Sequence, residues 1–405
     1  MHNIFDCIPE ILDEEIFQQL VDGDSVRIER IISRGHSSPE SGWYDQDRNE
    51  WVLVLKGEAI LLLEDEPNQP TKATGEIKIP EGRYDAYGQN LRVENGKLLD
   101  EPVKNTTEVL NEGQGGLMDV AVDPDYDENG WIYLAYSHVL TSGYEGNRPP
   151  AMTKIVRGKI ENNTWTNEEV LFEAAHDSYR TTRHHYGCRI VFDPWGHLFF
   201  AIGDRGAGYQ AQDFTLPNGK VHRIFKDGSI PEDNPFITED GAVPSLFSLG
   251  NRNIKGMAIH PQTGELWVTE HGPMGGDELN LIEWGKNYGW ETITYGKNYN
   301  GTIITDVKHK PGMEQPNLYW RPSIAVCGLD FYHGDLFSKW KNKLLVGALK
   351  YEEVRLLQIE GDKVVHQEVI VKNQGRVRDV STGPEGAIYV VLNSPGTVIK
   401  LMPQD

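Results

Sequence analysis

Cysteine is scarce in this chain. Three residues in 405, Cys7, Cys188 and Cys327, are too few and too scattered for a disulfide framework or a zinc site, and they read as packed thiols. Positive charge is also in short supply: 39 Lys and Arg face 61 Asp and Glu, for a formal net charge of −22. That balance excludes a nucleic-acid or anionic-membrane surface, because both need a basic footprint. No apolar run approaches the roughly 18 residues of a membrane span. The start, Met1-His2-Asn3-Ile4-Phe5-Asp6-Cys7 followed by Asp13-Glu14-Glu15, has neither a basic nor an apolar leader segment, so no secretion signal is read there. A Gly-rich strand-to-helix turn of the kind that binds nicotinamide dinucleotides is missing too.

Glycine, proline and tryptophan, by contrast, are plentiful, at 42, 22 and 10 residues. Short Val/Ile/Leu/Tyr runs between turn residues point to an all-β chain. One phrase recurs: a hydrophobic strand, a Pro or Gly turn, then a second strand. It runs from Leu117 through Pro124 to Tyr136, from Arg189 through Pro194 to Asp204, and from Gly256 through Pro261 to Glu270. A looser copy spans Gly328 to Gly347, and the last spans Val380 to Val391. The turns near 124, 194, 261, 330 and 384 lie roughly 55 to 70 residues apart, and a repeat of that size predicts a β-propeller with elaborated blades. One period upstream, Glu50 to Leu55 and Ala59 to Leu63 flank Lys56-Gly57-Glu58. That hairpin-like pair is nominated for a sixth blade.

The amino-terminal region has a competing reading. Residues 28 to 64, above all Gly35 to Glu58, are similar to the first half of a cupin barrel, but no histidine follows His36 until His138, and a polar stretch begins at Glu64. The expectation is therefore a truncated cupin-like segment over 1–72 and a propeller over 73–405. The propeller's first blade would be irregular or completed by the amino-terminal segment. Acidity concentrates here, with 16 Asp and Glu against 5 Lys and Arg in residues 1 to 70.

Chemistry-bearing residues gather at strand ends. His185, in Arg183-His184-His185-Tyr186-Gly187-Cys188-Arg189, immediately precedes a strand. Alone, such a histidine is more often structural. Asp204 ends the next strand, and antiparallel pairing would bring its carboxylate over the imidazole, as in a base and its orienting acid. Gln114 occupies the pre-strand position of its own repeat. Arg252 and Asn253, Lys350, and Arg376 with Arg378 put cations or amides at blade edges of an acidic chain. Gly272-Pro273-Met274-Gly275-Gly276-Asp277-Glu278-Leu279-Asn280 and Gly285-Lys286-Asn287-Tyr288-Gly289-Trp290 add carboxylates and loop carbonyls, the oxygen donors that a hard cation takes.

From about residue 90 to 402, these segments together resemble the soluble pyrroloquinoline quinone (PQQ)-dependent sugar dehydrogenases, the glucose/sorbosone or aldose-sugar dehydrogenase family. The resemblance implies a six-bladed propeller that oxidises an aldose at the anomeric carbon to the lactone, with PQQ as hydride acceptor and Ca²⁺ beside it. It assigns His185 as base and Asp204 as its support. Gln114, Arg252, Asn253, Lys350, Arg376 and Arg378 become cofactor contacts. The carbonyls of Gly272 and Pro273 become ligands of a cofactor-bridging Ca²⁺, and Glu278 with the Tyr288 carbonyl a second, structural calcium site. Family members mostly work outside the cytoplasm, and the resemblance names neither the preferred sugar nor the physiological electron acceptor. The chain departs from the pattern at Asn251, where the family has histidine, and at Ile254-Lys255-Gly256, where it has Pro-Gln-Gly.

Overall fold

Both faces of the repeat strands are apolar, as in Leu198-Phe199-Phe200-Ala201-Ile202, and strands of that kind must be covered on both sides. A computed structural model describes residues 101–403 apart from 142, 143, 145, 394 and 395, together with the backbone strands at 16–22, 27–32, 71–78, 93–94 and 97–98. The chain forms two compact units, Met1–Asn68 and Gln69–Asp405. In the first, Ile16–Asp22 pairs antiparallel with Arg27–Ile32. The second holds five four-stranded antiparallel sheets.

The first blade comprises Leu117–Val122, Ile132–Val139, Ala151–Glu161 and Thr164–Glu173. The second comprises Ile190–Phe192, His197–Ile202, Lys220–Phe225 and Leu246–Leu249, and the third Ile254–Ile259, Leu266–Glu270, Asp277–Ile282 and Leu318–Trp320. The fourth is built from Val326–Phe331, Leu344–Ala348, Glu353–Glu360 and Lys363–Lys372. The fifth takes Arg376–Thr382, Ile388–Asn393 and Thr397–Pro403, with Thr71–Lys78 as its outer strand.

The six-bladed expectation is corrected to five blades among the described residues. Each of the five turn phrases opens one sheet. The strand upstream of them does not start another, because its backbone groups are used elsewhere: Thr71–Lys78 pairs with Thr397–Pro403 from Thr71 opposite Pro403 to Lys78 opposite Thr397. The 50–63 pair nominated for a sixth blade lies outside the described residues. So does the cupin-like stretch, apart from the strand Arg27–Ile32.

The turns close as their side chains dictate. Asp123 Oδ1 accepts the Asp125 N–H at 2.9 Å, and Asp193 Oδ1 accepts those of Trp195 at 3.0 Å and His197 at 2.8 Å, local bonds that fix a tight reversal. Strand faces then sort the core between neighbours. Leu198, Phe200 and Ile202 pack toward Tyr133, Ala135 and Ile155 of the first blade, while Phe199 and Ala201 pack toward Ile254, Met257 and Val268 of the third. Trp267 lies among Val326, Leu344 and Val346 of the fourth blade, and Leu345 and Val354 among Val377 and Val380 of the fifth. The other face of the first blade, with Leu134, Tyr136 and Trp165, is covered by Val103 and Val109.

A single guanidinium ties the innermost strands together. Arg189 Nη1 lies 3.2 Å from Asp119 Oδ1 and 2.9 Å from Asp379 Oδ2, its Nη2 donates to the Arg378 carbonyl at 3.0 Å, and its Nε donates to the Lys255 carbonyl at 2.8 Å. One side chain of the second blade thus holds the first, third and fifth.

Candidate active site

Strand order decides which loops meet. The segment before an innermost strand and the segment after the next strand emerge at the same end of a blade. Gln114, His185, Arg252, Asn253 and Arg376 belong to the first class, and Asp204, Gly272, Pro273 and Lys350 to the second. All of them occupy one rim.

On that rim His185 Nδ1 lies 2.6 Å from Asp204 Oδ1, the two side chains 13% and 2% exposed. His185 adopts a left-handed φ of 55°, a conformation that costs a side chain with a Cβ and has to be held by its surroundings. Several bonds hold it. Gln114 Oε1 accepts the His185 N–H at 2.9 Å, while the Gln114 N–H donates to the Arg183 carbonyl at 2.8 Å. The third blade clamps the loop beyond, since Asn253 Oδ1 accepts the Gly187 N–H at 3.2 Å and Lys255 Nζ donates to the Gly187 carbonyl at 2.6 Å. Burial, reinforced by the nearby Arg252 charge, pushes the imidazole down to about 4 against the opposing pull of Asp204. At neutral pH His185 is therefore an uncharged base. Burial opposes the charge on Asp204, but its hydrogen bonds to His185 and to the Gly206 N–H, with the Arg252 charge, outweigh that cost and hold the carboxyl below the ordinary range.

Trp290 joins this pair to the neighbouring cluster. Its Nε1–H donates to Asp204 Oδ2 at 2.7 Å, and the Arg252 guanidinium stands 5.3 Å from its ring centre. The sequence offered Trp290 only as the last letter of a loop pattern; its role as the donor that fixes Asp204 depends on a contact 86 residues away in the chain.

Arg252 Nη1 donates to the carbonyls of His271 at 2.9 Å and Gly272 at 3.0 Å. The Gly272 loop is itself pinned by Asp277, whose Oδ1 accepts the Gly272 N–H at 3.0 Å and whose Oδ2 accepts the Ala325 N–H at 2.7 Å. The Pro273 carbonyl accepts from Ser323 Oγ at 3.2 Å. Glu278 stands directly opposite Glu270 in the third blade, a second carboxylate that sequence reasoning missed although it ends a repeat strand two residues before Gly272. Glu270 accepts from the Asn251 and Asn280 amides at 2.9 and 3.1 Å and from the Arg252 N–H at 2.6 Å. Burial, and then the Glu270 charge, raise Glu278 to about 8. A cavity of ≈ 10 Å³, enough for one water or one ion, is lined by Arg252, Glu270, Gly272, Glu278, Tyr288 and Trp290 among others.

Four buried polar atoms around these groups have no hydrogen-bond partner: Asn251 Oδ1, Asn280 Oδ1, Arg252 Nε and Asn253 Nδ2. Two are oxygens beside paired carboxylates, which suits a cation. The other two are N–H donors, which suit an anionic or carbonyl-bearing group. Among the described residues no three His, Cys, Asp or Glu side chains converge as a metal cluster, so an ion here would draw on backbone and amide oxygens. Lys350 and Arg376 are exposed on the same rim, and no hydrogen bond among the described residues joins them to the His185 network. Arg378 Nη2 donates to Asn393 Oδ1 at 3.1 Å, and its carbonyl receives Arg189.

Residues 86–400 match the Glucose / Sorbosone dehydrogenase family. The chain is 40% identical over 314 residues to the aldose sugar dehydrogenase YliI of Escherichia coli, covering 76% of this chain and 83% of that protein. It is 27% identical over 394 residues to quinoprotein glucose dehydrogenase B of Acinetobacter calcoaceticus, covering 78% and 81%. Among solved structures, the apo form of the soluble aldose sugar dehydrogenase from Escherichia coli superposes with a TM-score of 0.72 at 34% identity, over 82% of this chain and 99% of that one.

Proposed function

This chain belongs to the glucose/sorbosone dehydrogenase family, and from that premise we propose that it is a PQQ-dependent sugar dehydrogenase that oxidises an aldose at its anomeric carbon to the lactone. The observation that carries the reading is the buried His185–Asp204 pair at 2.6 Å, standing on one rim with a row of cationic and amide groups. In this reading the catalytic propeller takes in the whole strand Thr71–Lys78, which begins two residues before the expected start at 73, and the residues before it form a truncated cupin-like segment.

His185 is poised for the proton. Its Nδ1 is committed to Asp204, which leaves Nε2 to take the anomeric hydroxyl proton. Asp204 then stabilises the imidazolium that forms, as a carboxylate does for a general base. Trp290 and the Gly206 N–H, at 2.7 and 2.8 Å from the two carboxylate oxygens, keep Asp204 in place throughout.

The residues fit both implied cofactors. Arg252 and Asn253, whose buried N–H groups are unpaired, would hold the acidic PQQ with Gln114, Lys350, Arg376 and Arg378. Glu278 and the Tyr288 carbonyl would hold a calcium ion, now with Glu270 behind them, and the Gly272 and Pro273 carbonyls would face a second ion. When bound, PQQ supplies the two-electron hydride acceptor and calcium a Lewis acid that polarises an oxygen. Electrons leave afterwards to an acceptor other than a nicotinamide.

The test is reconstitution. Purified protein given PQQ and Ca²⁺ is expected to reduce an artificial dye with at least one of a panel of aldoses, and to lose that activity when either cofactor is withheld. Tight PQQ binding with no aldose able to reduce the dye would overturn the reading.

A further inference from the structure

Trp290 also lines a second, wider space, a cavity of ≈ 390 Å³ bounded by Trp290, Glu291, Asn298, Ile303 and Ile304. That volume is in the range of a small-molecule site. Its walls are chemically mixed: the indole and two isoleucines offer apolar surface, and Asn298 and Glu291 offer hydrogen bonding. Tyr209 and Tyr299, 64% and 74% exposed, follow Gly208 and Asn298 in the chain.

Glu291 is the unusual member. Its Oε2 and Trp290 Nε1 both lie against the point where a Cβ on Gly208 would stand. With glycine at 208 the carboxylate sits against the backbone there without displacement, beside the indole N–H that holds Asp204. Among the described residues no cation and no hydrogen-bond donor partners it. Burial, and then the Asp204 charge, raise its pKa, as expected of a second negative group brought close to the first. A carboxylate kept beside the base without a partner, facing an open and mostly polar cavity, is available to a ligand.

We propose that this cavity is a subsite for the part of a saccharide beyond the ring that is oxidised, and that Glu291 makes it select by charge: neutral and amino-bearing rings are accepted and uronate-bearing rings are refused. The proposal rests on the dehydrogenase reading for the identity of the ligand. The Trp290 indole and the two isoleucines receive the C–H face of a pyranose, while Glu291 and Asn298 receive its hydroxyls. A uronate placed there would add a third carboxylate to Asp204 and Glu291, and like charges brought together across a binding site weaken association.

The experiment reads binding to the cofactor-free protein by calorimetry. The probes are cellobiose and two analogues sharing its reducing glucose, one with a C6 carboxylate and one with a C2 amine on the distal ring. The expected order is amine at least as tight as neutral, with the uronate about tenfold weaker or more, a difference of about 1.4 kcal/mol. Glu291→Gln, nearly isosteric and on an exposed residue, should bring the three within about twofold of one another. Ile303→Asp, at a side chain 65% exposed, should weaken the uronate further in the otherwise native protein.

Equal binding of uronate and neutral disaccharide by the unmodified protein, or an unchanged ratio in Glu291→Gln, overturns the subsite even if the loaded enzyme oxidises aldoses. The expected ratios in a protein that oxidises no sugar once loaded would uphold the subsite and remove the dehydrogenase reading instead.

Discussion

His185→Asn is expected to lower kcat for aldose oxidation by about 10²- to 10⁴-fold, the usual contribution of a positioned general base, while leaving PQQ affinity largely unchanged. Asparagine is the informative replacement because residue 185 has φ of 55°, a left-handed conformation that Asn tolerates better than most residues. The loop should therefore keep its shape and lose only its base. Retained turnover in a variant that still binds PQQ would remove His185 from the mechanism.

The same variant identifies the imidazole signal in a proton NMR titration of the cofactor-free protein. Burial holds His185 near 4, well below the ordinary value of about 6.5, so the signal should stay at its neutral position from neutral pH down to about 5 and move only below that. Asp204→Asn removes the group that favours the charged form and should drive the transition lower still. A transition near 6.5 that ignores Asp204→Asn would contradict the assigned environment.

The largest effect on stability is expected at Arg189. Arg189→Met removes the one cation shared by Asp119 and Asp379 and leaves the carbonyls of Arg378 and Lys255 without their donor. Even with the arginine present, burial raises Asp119 to about 6. Breaking a buried ion pair from one side costs about 3–5 kcal/mol, and for a unit of this size that corresponds to a fall in Tm of about 4–7 °C. Calorimetry checks it, and adding Asp119→Asn with Asp379→Asn should recover more than half of the loss, because the cost lies mainly in stranding buried charge. A single variant within about 1 kcal/mol of the parent would mean that the blades hold together without this residue.

The repeat was legible because its signal is local. Pro124, Pro194, Pro261 and Pro384 end hydrophobic strands, and each such phrase opens one sheet. The strand Thr71–Lys78 was not, because it is an outer strand whose residues, Thr-Lys-Ala-Thr-Gly-Glu-Ile-Lys, show little hydrophobic alternation, and its identity as a strand comes from pairing with Thr397–Pro403. The sixth-blade nomination of the 50–63 pair comes from extending the repeat one period upstream; that pair lies outside the described residues, and the strand that completes the fifth blade is Thr71–Lys78.

The site divides in the same way. Strand-end position alone puts His185, Asp204, Arg252 and Gly272 on one rim. Trp290 and Glu270 depend on register and on a loop folding back, which no short pattern encodes. Lys255 illustrates a third case: as a substitution in a family pattern its effect was open, and the structure gives it a definite task, holding the Gly187 carbonyl at 2.6 Å just beyond His185.

The central claim is that this rim oxidises the anomeric carbon of an aldose under the control of His185. The most direct measurement is a single turnover of PQQ- and Ca²⁺-loaded protein with glucose carrying deuterium at C1. The account predicts slower turnover than with ordinary glucose, loss of the label from C1 and a lactone product, with product formation in His185→Asn slowed about 10²- to 10⁴-fold and the isotope effect kept or enlarged. Equal rates for the two sugars, with the label retained at C1 in the product, would contradict it.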